Sequence, residues 1–308
     1  MHARAVLALA VAALALAAPA VAAPAKPLSC NGDAALCDRP FDHVVIPATH
    51  NSMSSQALGW GIPNQQLSIP EQLRAGIRGF LIDTYYGHRQ PDGVVVNDAV
   101  KTPQSGLYLC HVLCQLGATP LVDALRAMRD QLVADPGSVL VIINEDYIAP
   151  KDFRKAVQAS GLRHYIYKGA PGPTWPTLRT MIAKHQRVVV LAEHASGRVP
   201  WYHEGYAEGI LQETPYTWPA PANLTDPAQW EASCRPNRGG TTGSLFLMNH
   251  WSPPVAPNPV TSAAVNAADV IEGRARTCAR VRGRLPTIVA VDMFPAGGLL
   301  EAVRRLNA

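Results

Sequence analysis

The chain has 308 residues, 48% of them hydrophobic, and a formal net charge of +4 at neutral pH. That charge is mild and no dense Lys/Arg cluster accompanies it, which argues against nucleic acid as a partner. Past the N-terminus, no apolar run reaches the length of a membrane span.

His2 and Arg4 precede an apolar stretch over 5–18, and Ala20-Val21-Ala22 supplies a small-residue cleavage site. Residues 1–22 therefore read as a secretory signal peptide, leaving 23–308 as a secreted, extracellular and monomeric chain. Pro27-Leu28-Ser29 before Cys30 is a poor lipidation signal. Six cysteines in an exported chain predict disulfides. Proximity suggests Cys30–Cys37 and Cys110–Cys114, and elimination leaves Cys234–Cys278. Cys110-His111-x-x-Cys114 lacks the second ligand pair that a zinc site needs.

Residues 42–47 form the first expected strand, since Val44-Val45-Ile46 is a short apolar run that ends in Pro47-Ala48-Thr49-His50-Asn51-Ser52. Ser68, Pro70 and Gly76 mark a short helix over 68–76. A strand over 78–84 carries Phe80-Leu81-Ile82 into Asp83, and one over 107–111 ends on His111. Thr119-Pro120 opens a helix whose apolar positions Leu121, Ala124, Leu125, Met128 and Leu132 keep helical spacing until Asp135-Pro136-Gly137 stops it. The strand over 138–145 ends in Asn144-Glu145, with Asp146 next. Helices over 151–159 and 177–184 precede a strand over 187–192. Residues 193–243 are rich in Pro, Gly and Trp and poor in periodicity, and so read as a functional loop layer or lid holding Trp201, Trp218 and Trp230. A strand over 245–249, a helix over 262–281, a strand over 287–292 and a helix over 298–306 complete the chain.

This alternation predicts a single α/β barrel. Four strands that finish on His, Asp or Glu put reactive groups at one mouth. Two histidines with oxygen ligands suggest acid–base chemistry on a phosphodiester beside a hard cation. Each residue also has a plainer role open to it. His50 could bond backbone, His111 could cap a disulfide loop, and Asn51 could be a turn residue. Asp83 and Glu145 could pair with Arg78 or a lysine, because a buried carboxylate needs a partner. His250 is a further candidate for the mouth, whereas His43, His88, His164, His185, His194 and His203 read as surface or capping residues.

Several blocks together resemble the catalytic X domain of phosphatidylinositol-specific phospholipases C, especially secreted actinobacterial members. Ala48-Thr49-His50-Asn51-Ser52 is similar to the family's first histidine block, and Gly76-Ile77-Arg78-Gly79-Phe80-Leu81-Ile82-Asp83 to its second strand. His111 matches the second histidine and Ile143-Asn144-Glu145 the following acidic strand. Pro176-Thr177-Leu178 and Val289-Ala290-Val291-Asp292 resemble weaker, later markers. The resemblance covers roughly residues 40–307 and implies a distorted TIM-type (β/α) barrel.

It also implies a role for each residue. His50 and His111 would be the acid–base pair that cleaves phosphatidylinositol at a membrane surface, giving diacylglycerol and inositol cyclic phosphate. Asn51, Asp83 and Glu145 would hold calcium, with Asp146 as an extra ligand. Position 83 is not the arginine used by the metal-free branch, but Leu81 departs from the calcium branch's usual glutamate. Arg78 would contact phosphate or form a structural ion pair, and Asp292 would orient a histidine. Leu191-Ala192-Glu193 lacks the lysines of relatives that cleave polyphosphoinositides, which implies unphosphorylated head groups. Two other functions compete. A glycerophosphodiester or sphingomyelin phosphodiesterase would show a His-Arg-Gly opening and a Glu-x-Asp strand, and neither is present. The Leu81 departure is the best support for an inactive barrel that binds inositol lipids or glycans.

Overall fold

The computed structural model describes residues 29–172, 174–252 and 257–308, and the expected signal peptide lies outside them. Apolar residues alternate along the strands between two cores, as a sheet buried on both faces requires. Ala48, Leu81, Ile143, Leu191, Leu247 and Ala290 belong to the inner core. Their neighbours Phe80, Ile82, Ile142, Val190, Met248 and Val291 pack outward with Leu73, Met128, Ile271 and Leu299 of the helices.

The strands are β1 (Ile46–Thr49), β2 (Gly79–Arg89), β3 (Val95–Asn97), β4 (Gly106–Leu109), β5 (Thr119–Pro120), β6 (Leu140–Asp146), β7 (Val188–Ala192), β8 (Tyr202–Glu204), β9 (Leu211–Glu213), β10 (Leu245–His250) and β11 (Ile288–Val291). The sheet runs β8-β7-β6-β2-β1-β11-β10-β9, and every neighbouring pair in that path is parallel. Apart from β3 to β5, this is chain order around a distorted (β/α) barrel. The seam lies between β8 and β9, which share no ladder. There the Gly205 carbonyl accepts the Leu211 N–H at 2.8 Å. β1 and β2 approach so closely that a Cβ on Gly79 would sit 2.6 Å from that of Ala48.

The helices are α1 (Ile69–Ala75), α2 (Leu121–Ala134), α3 (Pro150–Ala159), α4 (Leu178–Ala183), α5 (Ala222–Thr225), α6 (Trp230–Ser233), α7 (Pro259–Val265), α8 (Ala268–Arg282) and α9 (Leu299–Asn307). The cues at α1 act as expected, with Ser68 and Glu71 closing a capping box and Gly76 ending the helix at φ 110°. All three disulfides form as expected: Cys30–Cys37, Cys110–Cys114 and Cys234–Cys278. Cys30 is therefore committed to a bridge. No helix among the described residues is long and apolar enough to cross a membrane.

Four expectations need correction. The first strand begins later than 42–47, because Phe41–His43 winds into a 3₁₀ turn. The strand that leads to His111 is antiparallel to β2 rather than part of the barrel ladder. The segment 193–243, expected as a functional loop layer or lid, is also part of the barrel. It contributes β8 and β9, three residues each and too short to show a period, and it buries Trp218 against Leu224 and Val265. The helix expected over 262–281 is two helices. Asn266 separates them, and its side-chain amide donates to the carbonyls of Asp292 (2.8 Å) and Ala296 (3.1 Å).

Candidate active site

The inward alternation continues past the apolar residues at the C-terminal ends of the strands. Two places beyond Ala48, Leu81, Ile143, Leu191, Leu211 and Leu247 stand His50, Asp83, Glu145, Glu193, Glu213 and Asn249, and these six line one cavity of about 150 Å³. Asn51, Tyr216, Arg238 and Trp251 complete its wall, with Leu81 and Ile143 beside the carboxylates.

His50 follows β1 directly and is fixed on three sides. Its Nδ1 lies 2.9 Å from Asp292 Oδ1, its ring stacks on Trp251 with centroids 3.8 Å apart, and its carbonyl accepts from Gln65 Nε2 at 2.6 Å. Asn64 Nδ2 approaches both Asp292 oxygens at 3.4 Å. A carboxylate at Nδ1 favours the tautomer with its proton there and the lone pair on Nε2. The next residue, Asn51, has φ 43°, a left-handed conformation that asparagine tolerates better than most side chains.

His111 is delivered by an excursion above the barrel. β2 runs beyond its barrel half and pairs antiparallel with β3 and β4. Cys110, which follows β4, donates its N–H to the Asp83 carbonyl at 3.3 Å. Asn97 of β3 braces the loop beyond it, accepting from Cys114 N at 2.8 Å and donating to Val112 O at 3.0 Å. The Cys110–Cys114 bridge closes that loop, and within it Val112 adopts φ 59°, strained for a β-branched residue. Burial lowers the proton affinity of His111. The charge of His50 lowers it further, while Asp292 and Glu145 pull the other way. The charge of His50 thus reaches His111.

The carboxylates divide by partner. Glu193 and Glu213 share Arg238, whose Nε is 2.7 Å from Glu213 Oε1 and whose Nη2 is 3.3 Å from Glu193 Oε1. The guanidinium lies 4.2 Å over the Tyr206 ring. Glu145 accepts from the Tyr147 hydroxyl, and Tyr147 stacks on Tyr85. Asp83 and Asn51 are 5% and 4% exposed, and neither side chain makes a hydrogen bond among the described residues. Burial, reinforced by Glu145 and Glu193, holds the Asp83 carboxyl well above the usual carboxylate range.

Three expected candidates fall elsewhere. Arg78 precedes β2 at the opposite end of the barrel. There it donates to the carbonyls of Leu73 (2.8 Å) and Ile77 (2.9 Å), at the end of α1, and pairs with Asp135 at 3.3 Å. Asp146 points away from the cavity. Its carboxylate accepts the N–H groups of Glu193, His194 and Ala195 at 3.1, 2.9 and 3.0 Å. His250 is fully buried, with Nε2 on the Val265 carbonyl at 2.9 Å and Nδ1 on Arg274 at 3.1 Å. Burial, with the Arg274 charge, pushes its pKa down to about 3. Glu193, Glu213, Asn249 and Arg238 were not singled out in the sequence. Glu193 and Asn249 were accessible through the same two-residue alternation that finds Asp83 and Glu145.

The family model described as PI-PLC X 1 matches residues 36–307. A PI-PLC X domain-containing protein 1 of Arthroderma benhamiae is 29% identical over 303 residues, which cover 92% of this chain and 90% of that protein. An uncharacterized secreted protein of the same organism is 27% identical and covers 91% of this chain and 63% of that protein. A PI-PLC X domain-containing protein of Arabidopsis thaliana is 27% identical, covering 92% and 67%. Among solved structures, the phosphatidylinositol-specific phospholipase C of Staphylococcus aureus superposes with a TM-score of 0.58 at 13% identity, over 88% of this chain and 95% of that one, a likeness of fold. Matched by the family model over nearly all of its described length, the chain belongs to the PI-PLC X family.

Proposed function

We propose that this protein is a secreted phosphodiesterase that cleaves phosphatidylinositol-type lipids to diacylglycerol and an inositol cyclic phosphate. One observation carries this reading: His50, paired through Nδ1 with Asp292, lies close enough for its charge to reach a second imidazole, His111. The Asp292 pairing supports a division of roles between the two. His50 Nε2 takes the proton of the inositol 2-hydroxyl, whose oxygen attacks phosphorus. His111, protonated, gives its proton to the departing diacylglycerol oxygen. No covalent bond to the enzyme forms, and each cycle leaves one proton to return from His50 to His111 through solvent.

The cavity's donor set fits a hard cation. Asp83 and Asn51 are buried residues whose side-chain oxygens have no hydrogen-bond partner among the described residues, Glu145 stands in register beside Asp83, and calcium takes such ligands. Bound there, calcium would stabilise the negative charge that gathers on the phosphate oxygens in the transition state. Glu193 and Glu213 would repel extra phosphates on the ring, which supports unphosphorylated head groups as substrates. Three disulfides and a relative described as secreted support an extracellular site of action.

A lipid surface as partner is supported by the rim. Leu58, Ile62, Val112, Leu113 and Leu116 are exposed on two loops beside the histidines, joined where Gly61 N–H donates to Leu116 O at 2.7 Å. Apolar side chains gathered in this way fit an interfacial contact.

His50→Ala and His111→Ala should each lower kcat/KM for phosphatidylinositol by about 10²–10⁴-fold, followed as cyclic phosphate release by ³¹P NMR. Full activity in both variants sinks the mechanism, and inositol-lipid binding without turnover by the unaltered protein favours the inactive binding barrel. The pH dependence has a definite sign. Because the His111 proton is held less tightly than in free imidazole, the alkaline limb of kcat/KM should fall below the ordinary histidine value of about 6.5. In an NMR titration, His50→Ala should raise the His111 pKa, and a fall would contradict the coupling. EGTA should abolish turnover and calcium restore it, with Asp83→Asn raising the calcium requirement by about tenfold or more. Activity indifferent to chelation removes the cation. Leu113→Asp should weaken sedimentation with phosphatidylinositol vesicles yet leave hydrolysis of a monomeric short-chain substrate unchanged. Equal vesicle binding rules out the rim as a docking surface.

A further inference from the structure

Glu193 closes β7 on the inward parity and is gripped by Arg238, so its carboxylate is held in place before anything binds. Its ligand oxygen and that of Glu145 lie within 4.8 Å of each other, with a ring nitrogen of His194 inside the same limit. Two oxygens on one calcium ion span no more than about 5 Å, because each bond is about 2.3–2.6 Å long. On the same cavity wall, Asp83 is 95% buried by its 5% exposure and has no hydrogen-bond partner among the described residues. An unpartnered buried carboxylate thus lines the same cavity as two carboxylates at ligand-to-ligand spacing.

We propose that Glu193 is a direct ligand of the divalent cation, completing with Asn51, Asp83 and Glu145 an oxygen site that spans β1, β2, β6 and β7. This rests on the cation reading given above. Arg238 then has a positioning role: it holds Glu193 toward Glu145 and offsets one of the charges that Glu193 and Glu213 bring to the wall. His194 stays outside the set. It is exposed, lies 3.5 Å from Asp146, and carries a nitrogen donor that a hard cation does not select.

Calcium titration calorimetry and terbium luminescence on the full chain test the assignment without reference to turnover. Four proteins are compared: the unaltered chain, Asp83→Asn, Glu193→Gln, and Glu193→Gln combined with Leu81→Glu. Leu81 lines the same cavity two residues before Asp83, so a carboxylate placed there returns the lost ligand to the site. Glu193→Gln should weaken calcium binding about tenfold or more while keeping the melting temperature of the metal-free protein, and the double variant should regain most of that loss. Binding by Glu193→Gln equal to that of the unaltered chain overturns the proposal. So does a double variant no tighter than Glu193→Gln, since Glu193 would then act only through Arg238. Zinc binding that requires His194, with no calcium binding, also overturns it. If Asp83→Asn binds as tightly as the unaltered chain, or the unaltered chain binds no calcium, the cation reading itself fails. Loss in Asp83→Asn alone sinks only the role of Glu193.

Discussion

Four carboxylates, those of Asp83, Glu145, Glu193 and Glu213, line one small cavity with a single arginine, Arg238. Two carboxylates about 5 Å apart repel by about 3 kcal/mol at an effective dielectric of 20, and crowding several in a shielded space multiplies that cost. The fold relieves three of them. Glu193 and Glu213 share the guanidinium, and Glu145 takes the Tyr147 hydroxyl. Asp83 receives only burial and like charge, so its carboxyl is driven toward the protonated form. A mouth built this way accepts positive charge readily and resists further anions. That one constraint underlies both the cation and the head group proposed above.

The positions of these groups follow from the period of a strand. His50, Asp83 and Glu145 were legible in the sequence because each ends an apolar run, and the family's blocks lie on these residues. The reading faltered where it treated the end of a strand as one place. Consecutive residues point to opposite faces, so Glu145 enters the cavity while Asp146 turns away to accept three backbone N–H groups. Asn249 and His250 divide in the same way, the second buried in the outer layer with Arg274. Glu193 obeys the alternation and could have been found by it. Glu213 sits on a three-residue strand, too short to carry any pattern, and Arg238 arrives from irregular chain with no local signal.

His111 exposes a different limit. Its segment was read as a barrel strand because four apolar residues look alike whether their partner runs parallel or antiparallel. The chain instead lengthens β2 to eleven residues, folds β3 and β4 back against its upper half, and returns across the mouth. A histidine carried on such an excursion lacks the rigidity of a barrel strand. The Cys110–Cys114 bridge and both arms of the Asn97 amide restore it. The cysteine spacing was readable beforehand. The bracing by Asn97 needed three dimensions, since fifteen residues separate it from Val112.

Arginine serves opposite purposes at the two ends of the barrel. At the base, Arg78 donates to carbonyls at the end of α1, and Arg187 donates to Leu132 O at 2.8 Å and Pro136 O at 2.9 Å, where α2 finishes. Helix C-termini present unpaired carbonyls and partial negative charge, so these cations settle the fold there. Arg274 does the same for the outer layer, donating to the carbonyls of Asn249 (2.8 Å) and Ser233 (3.1 Å). At the mouth, the polar atoms left over belong instead to Asp83, Asn51 and Asn249, whose buried Oδ1 has no partner among the described residues. A buried oxygen without a partner costs about 1–3 kcal/mol, a cost that a bound ligand would offset. The base of the barrel therefore supplies the stability against which the mouth can hold its oxygens in readiness.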